Sequence, residues 1–488
     1  MNSVNPYSTE FNLLPPKYSI WLVLGLASLA LILGAGVAFG IYMARVVTML
    51  AVLGLIFMIV AIGRPDISVM VFTFVLYLNL SAVLVEQGLP SIAKPFVALL
   101  VVIVLIRWLV FKDRITGIAK PLLYVGVYTA LGAISLFFAD DFTAALAGLN
   151  VYLKDAVICF LIVALLQDRS VFVNVVRGLL SAGIIMGGLA LIQQLTGSPS
   201  SNFLGFAKVV SDSTYGSRMA GSIGDPNYFA QSMVVLLPLA IDRFFAERRA
   251  IFRLLAVLAL GVCSFTVIYS YSRGAFLAAV IAMAFYIVRR RPNPTQLVFV
   301  VLAFLLIYQF LPANYTSRIS TLFDFLPGNG SALSDSSFRG RSSENQVAID
   351  MFMDNPILGV GLGNYNQKYQ EYSRNLGLDF RSTARSAHSL YLEILAERGL
   401  FGVASFFVLL YYTFVTLRAC EDRFLRAGLP EASGLAFAMM ASFAAYLVTA
   451  MFLHDAFIRY FWLLLGLAWS VPQLSGSAET QVNARRHL

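Results

Sequence analysis

The stretch VFVNVVRGLLSAGIIMGGLALIQQL, residues 171–195, decides the fold class, because it carries only one charged residue, Arg177. A helix needs about 20 predominantly apolar residues to cross the hydrocarbon core of a bilayer. Runs of this length recur along the chain from Ile20 to Val471. The sequence therefore predicts an all-α polytopic membrane protein embedded in a lipid bilayer.

The composition excludes an ordinary soluble protein. Of the 488 residues, 59% are hydrophobic and 12% are charged, whereas an average soluble domain carries about 25% charged residues. The formal net charge of +9 does not predict a nucleic-acid partner, because the sequence lacks a basic stripe with interleaved aromatic residues. The cysteines, Cys159, Cys263 and Cys420, have no pair spacing, so neither disulfides nor a zinc site is predicted.

The apolar runs predict about fourteen transmembrane helices. They start near Ile20, Ile41, Ile67, Phe96, Leu122, Val151, Val171, Tyr228, Ile251, Ala275, Leu297, Ser389, Leu429 and Phe457. The chain divides into N-terminal transmembrane helices (1–195), transmembrane helices with outward-facing arginine motifs (196–311), a long loop (312–387), C-terminal transmembrane helices (388–471) and a tail (472–488).

The basic residues predict the orientation of these spans. With a cytoplasmic N-terminus, every dense basic cluster in a short loop falls on the cytoplasmic face, as the positive-inside rule requires. These clusters contain Lys112, Arg114, Lys120, Arg243, Arg248, Arg249, Arg253, Arg289, Arg290, Arg291, Arg418, Arg423, Arg426, Arg485 and Arg486. Both termini are therefore predicted in the cytoplasm, and the loop 312–387 on the exocytoplasmic face, which is the periplasm if the cell has an outer membrane.

Two arginines on the outer face are candidates for binding an anion. Asp225 and Pro226 form an N-cap and first-turn proline pattern, which predicts a helix start a few residues after Arg218. Helix N-termini and guanidinium groups both suit phosphate oxygens. Arg273 is predicted to begin another helix, where the macrodipole disfavours a cation unless an anion is also bound. Alternatively, Arg218 lies at the lipid headgroups beside a plain helix cap, and Arg273 snorkels to the interface or bonds free carbonyls of a neighbouring helix.

His388 is the candidate general base. It lies where the long loop enters the next predicted span, and a neutral imidazole there can accept a proton from a sugar hydroxyl. Alternatively, it is a hydrogen-bonded histidine at the membrane boundary. Glu393 and Glu397 do not share a helical face with His388, so neither is predicted to orient it. His454 is a weaker candidate for the same role.

The loop 312–387 is much longer than an ordinary connection, which predicts local structure within it. A short amphipathic helix is predicted over 343–353, ending before Asn355-Pro356, and a second over 364–372. Tyrosines of the second helix are candidates for stacking on sugars. They are Tyr365, Tyr369 and Tyr372.

Two further chemistries have little support in the sequence. The run GVGLG, residues 359–363, lacks the spacing of a dinucleotide-binding fingerprint and is predicted to form a turn. No Asp-rich metal motif lies outside the predicted spans. Chemistry without a metal, in which arginines neutralise the developing charge, is therefore the simpler hypothesis.

Four motifs follow one another between residues 218 and 407. They are GDPNYFA (224–230), SRG (272–274), NPILGVGLGNY (355–365) and HSLYLEILAERG (388–399). Their combination, their order and the long loop between the second and the third resemble the bacterial O-antigen ligase and polymerase superfamily.

This resemblance implies an inverting membrane glycosyltransferase of the GT-C type in the bacterial inner membrane. Such an enzyme takes a glycan from an undecaprenyl-diphosphate carrier at the periplasmic face, with no cofactor, nucleotide sugar or metal. By resemblance, Arg218, Arg273 and Arg341 bind the donor diphosphate, and His388 deprotonates the acceptor hydroxyl. The acceptor stays open: lipid A core for a ligase, a lipid-linked repeat of O-antigen or exopolysaccharide for a polymerase, or a protein hydroxyl for an oligosaccharyltransferase.

A polysaccharide transporter or flippase is the alternative from a different class. It would be expected to show internal repeats and paired ionisable residues near the middle of the membrane. No repeat is evident, and the candidate ionisable residues, Lys154-Asp155 and Arg177, are predicted near the ends of spans. Glycan transfer is therefore the leading hypothesis.

Overall fold

The computed structural model describes residues 64–112, 116–197, 202–212, 216–290, 298, 336–378, 385–454 and 459–475. The spans predicted near Ile20, Ile41 and Leu297 lie outside these residues. So do the first part of the long loop and the tail beyond residue 475. The structural statements below concern the described residues.

Helices dominate this part of the chain. They are α1 (Pro65–Tyr77), α2 (Leu80–Glu86), α3 (Ala93–Leu109), α4 (Ala119–Ser135), α5 (Phe142–Leu165), α6 (Arg169–Thr196), α7 (Pro226–Ala246), α8 (Ala250–Tyr269), α9 (Arg273–Arg290), α10 (Ser336–Asp354), α11 (Tyr365–Asn375), α12 (Leu390–Arg426), α13 (Pro430–Thr449) and α14 (Arg459–Ser470). Within the described ranges, seven helices are long and apolar enough to cross a membrane, or eight if α1 and α2, bent by 53°, form one span. The polytopic architecture agrees with the sequence, while about fourteen spans stays a prediction.

The expectation of an all-α protein is wrong in one place, between α6 and α7. There Lys208–Asp212 (β1) and Gly216–Gly221 (β2) form an antiparallel hairpin, with Val210 opposite Arg218. The β-branched residues of β1 favour a strand, and the pairing satisfies backbone groups of a connection that packs against the bundle. This hairpin carries Arg218 toward the start of α7.

Helix α12 is kinked at Gly399, the last residue of the fourth motif (388–399). Gly399 adopts φ 59° and ψ −159°, so the helix changes direction there. The segment before it pairs with the glycine-rich turn, because Val360 N–H donates to Ala396 O at 2.9 Å and Gly361 N–H donates to Glu397 O at 3.0 Å. The third and fourth motifs therefore bind each other directly.

The two helices predicted in the long loop are present as α10 and α11, and α10 ends at Asp354 as expected. The tyrosines of α11 are nevertheless buried, so their predicted stacking on sugars is wrong. They pack with Val347, Ala348 and Met351 of α10 in a small apolar core, and the Tyr365 hydroxyl donates to Glu344 O at 2.7 Å. The loop has its own core because its helices present apolar faces to each other.

A further correction concerns α5. Its span was predicted to begin near Val151, but the helix begins at Phe142, where the Asp141 side chain caps it. Lys154 and Asp155 therefore lie in the middle of the helix and not near its end. The cap explains the difference, since an aspartate that accepts a backbone N–H bond extends the helix beyond its apolar run.

Candidate active site

Arg218 is a buried residue that joins three elements. Its Nε donates to Ser270 O, just after α8, at 2.9 Å, and its Nη2 donates to Asn227 Oδ1 at 3.1 Å. Asn227 lies in the first turn of α7, where the Asp225 side chain accepts from Asn227 N at 2.7 Å and Tyr228 N at 3.0 Å. The N-cap prediction at Asp225 is thus confirmed, and the cap places Asn227 against Arg218.

Arg273 begins α9, as the sequence predicts. Arg273, Arg341 and Asn227 line one narrow cleft, hereafter the arginine cleft. Thr449, the last residue of α13, and Phe452, three residues further on, also line it. The structure therefore brings the three predicted arginines together, two in the cleft and Arg218 through Asn227. Such a group of guanidinium ions favours an oxyanion with several oxygens, such as a diphosphate.

His388 lies just before α12 and contacts two titratable side chains. Its Nε2 is 3.5 Å from Glu344 Oε2, and its Nδ1 is 3.3 Å from the Nδ1 of His454. Glu344 is buried on α10, and Arg385 approaches its other oxygen at 3.9 Å. The position of His388 at the start of a helix was predicted correctly.

Burial and neighbouring positive charge keep the imidazole of His388 neutral. Burial is the largest cause, followed by Arg341, His454 and Arg385, and together they lower the pKa of His388 to about 3. Burial also lowers the pKa of His454, Arg341 adds to this, and Asp225 opposes it. A neutral imidazole can accept a proton at physiological pH, and Arg341 links His388 to the arginine cleft.

Sequence reasoning missed Glu344 as the carboxylate beside His388. It considered only Glu393 and Glu397, which follow His388 in sequence on α12. Glu397 instead accepts the backbone N–H of Tyr365 at 3.2 Å and so caps α11. Glu344 lies in the predicted loop helix, but no local pattern tells which face of that helix meets His388.

Part of the chain also matches a known protein family. The family model described as O-antigen ligase matches residues 233–407. This range includes Arg273, Arg341 and His388 and begins after Arg218. No curated protein matches the chain. Among the described residues, no group of three or more His, Cys, Asp or Glu side chains could hold a metal ion.

Proposed function

We propose that this protein, whose residues 233–407 match the family model described as O-antigen ligase, is an inverting, metal-independent glycosyltransferase. It moves a glycan from an undecaprenyl-diphosphate carrier to an acceptor hydroxyl at the periplasmic face of the inner membrane. One observation carries this proposal: Arg341, which lines a cleft together with Arg273, also acts on the half-buried His388 and helps to keep its imidazole neutral.

The arginines bind the donor and stabilise its leaving group. Arg273 and Arg341 face the cleft, and their guanidinium groups hold the diphosphate oxygens. Arg218 fixes Asn227 on the same wall. As the bond between sugar and diphosphate breaks, negative charge grows on the leaving oxygen, and positive groups already in place lower the barrier.

His388 accepts the proton of the acceptor. The acceptor oxygen attacks the anomeric carbon on the face opposite the diphosphate and forms the new glycosidic bond. The bond to the diphosphate breaks with its electron pair, and the hydroxyl proton passes to His388. The carboxylate of Glu344, 3.5 Å away, stabilises the imidazolium that forms. Single displacement inverts the anomeric carbon.

Glycosyltransferases of this kind differ in the acceptor that receives the glycan. We propose an O-antigen ligase or an O-antigen or exopolysaccharide polymerase, with a protein O-oligosaccharyltransferase as the alternative. A transporter needs no proton acceptor beside an anion cleft, so the pairing of His388 with the arginines favours transfer over transport.

A transfer assay tests the proposal. Purified full-length protein should transfer glycan from an undecaprenyl-diphosphate donor in the presence of EDTA. His388→Ala should lower turnover by about 10²- to 10⁴-fold, the range typical of a lost general base. His487→Ala, which removes a histidine of the C-terminal tail, is the matched control and should keep the wild-type rate. A wild-type rate in His388→Ala would contradict the assignment.

A further inference from the structure

A second candidate binding site lies among α1, α2, α3, α5 and α14. It is a large groove with apolar walls that include Phe72, Val101 and Ile158, and Lys94, Lys154 and Arg459 also line it. We propose that this groove, hereafter the lysine groove, holds the lipid chain and phosphate of a membrane-anchored glycan acceptor. The proposal rests on the transferase function proposed above and assigns the acceptor to a phosphorylated lipid.

Lys154 is the first reason to expect an anionic ligand. It lies twelve residues after the start of α5 and eleven before its end, and its side chain is exposed on the groove. Within the described ranges, Lys154 forms no ion pair with a carboxylate. A cation among apolar walls is unfavourable unless it is paired with an anion or reaches water. A lipid phosphate would supply such an anion.

The charges of the lysine groove are net positive. Its carboxylates are Asp155 and Glu86, and Glu86 is already paired with Lys208. Asp155 therefore faces three groove cations, namely Lys94, Lys154 and Arg459. Electrostatic complementarity thus favours an anionic headgroup over a neutral or cationic one.

The lining that α3 contributes to the groove changes from polar to apolar along the helix. Lys94 is the second residue of α3, and Val101 lies about 10 Å further along the helix axis, given the helical rise per residue. Phe72 and Ile158 add apolar lining from α1 and α5. An amphiphile with a charged head and a long hydrocarbon chain has the same polarity, whereas a protein acceptor has no such chain.

The groove lies close enough to His388 to serve the acceptor. Phe452 and Leu453 line the arginine cleft, His454 contacts His388, and Arg459 lines the lysine groove. Arg459 follows His454 by five positions, so their Cα atoms lie at most about 18 Å apart. Along the chain, His454, which contacts the proton acceptor His388, lies between Leu453 of the arginine cleft and Arg459 of the lysine groove. We therefore expect donor and acceptor to reach His388 from separate sites.

Kinetics separate the acceptor from the donor. Lys154→Gln removes a charge from the groove, and Ala98→Trp fills part of it. Each variant should raise the KM for a phosphorylated glycolipid acceptor about tenfold, which corresponds to the loss of about 1.4 kcal/mol of binding free energy. The KM for the undecaprenyl-diphosphate donor should not change. Lys154→Arg, which keeps the positive charge, is the matched control for Lys154→Gln. Val102→Trp is the matched control for Ala98→Trp, because Val102 lies on α3 outside the groove lining. A raised KM for the donor, or no change in either KM, would overturn the proposal.

A binding measurement makes the test independent of turnover. The measurement uses the full-length Arg273→Ala variant, in which the arginine cleft is weakened. This variant should bind undecaprenyl phosphate, and it should bind undecaprenol at least tenfold more weakly. Adding Lys154→Gln to this variant should remove the difference between the two lipids. Equal binding of the two lipids, or displacement of undecaprenyl phosphate by equimolar phosphatidylglycerol, would overturn the proposal. Phosphate-dependent binding in this variant, together with no glycan transfer by the wild-type protein, would support the groove and contradict the transferase function instead.

Discussion

His388 shows how its surroundings set the chemistry of one residue. An ordinary histidine has a pKa near 6.5 and is partly charged in the neutral range. Here burial and the nearby Arg341 favour the uncharged ring. In the proposed mechanism, His388 is neutral before the reaction, and Glu344, 3.5 Å away, stabilises the imidazolium that forms when His388 accepts the proton.

The pH dependence of kcat/KM tests this state, because it reports the ionisation of the free enzyme. In the proposed mechanism His388 must be unprotonated to act, and its pKa is lowered to about 3. Activity limited by this residue should therefore stay flat between about pH 5 and pH 8, whereas an unperturbed histidine loses activity below about pH 6.5. In Arg341→Gln, which removes one lowering charge, the acidic limb should move to higher pH. A wild-type limb near pH 6.5 would contradict the assignment.

Arg218 allows a prediction from the shape of its guanidinium group. Its Nε donates to Ser270 O while its Nη2 donates to Asn227 Oδ1. A lysine ammonium lacks the planar, forked arrangement of donors that makes both bonds possible. Arg218→Lys should therefore destabilise the protein by about 2 kcal/mol and raise the KM for the donor. Thermal unfolding and donor kinetics measure the two effects. Arg374→Lys, on the exposed side of α11, is the control, and an unchanged Arg218→Lys protein would contradict the bridging role.

At the scale of elements, the third and fourth motifs act as one unit. Leu400 N–H donates to Pro356 O at 2.8 Å, and this bond joins the two backbone bonds already described. A Cβ on Gly399 would lie 2.5 Å from Ile357 C, and one on Gly359 would lie 2.3 Å from Glu397 C. The sequence predicts the turn at 359–363 correctly, but the docking of this turn on α12 is a contact between distant segments.

Gly359→Ala tests this docking. The added methyl group overlaps the backbone of α12, so we expect a loss of about 1–3 kcal/mol of stability and lower transfer activity, because α12 positions His388. Gly377→Ala is the matched control, since Gly377 has a similar positive φ but nothing within 4 Å of its Cβ position. Thermal unfolding of both variants separates overlap from backbone strain. Equal Tm values would show that close packing at Gly359 is unimportant.

At the scale of the whole molecule, orientation relative to the membrane decides which face carries the site. The positive-inside rule predicts that Arg248 lies in the cytoplasm and that α11 lies in the periplasm. The chain is suited to a labelling test, because the cysteines Cys159, Cys263 and Cys420 are all buried. They should therefore react slowly with maleimides.

We expect Asn375→Cys, at the exposed end of α11, to react with a membrane-impermeant maleimide in intact spheroplasts. Arg248→Cys replaces a side chain that is 91% exposed and should react only after the membrane is permeabilised. Wild-type protein is the control for background labelling. The reverse pattern would invert the topology and move the arginine cleft to the cytoplasmic face.

By itself, the sequence determined the positions of most described membrane helices and the helix start at Asp225, because apolar length and capping are local properties. It also singled out Arg218, Arg273 and His388 as the polar residues to examine. Only the tertiary structure decided their partners, since Arg218 meets Ser270 across 52 positions and His388 meets His454 across 66. Such contacts depend on how helices and the hairpin pack. The same packing buried the tyrosines of α11 and brought Glu344 to His388.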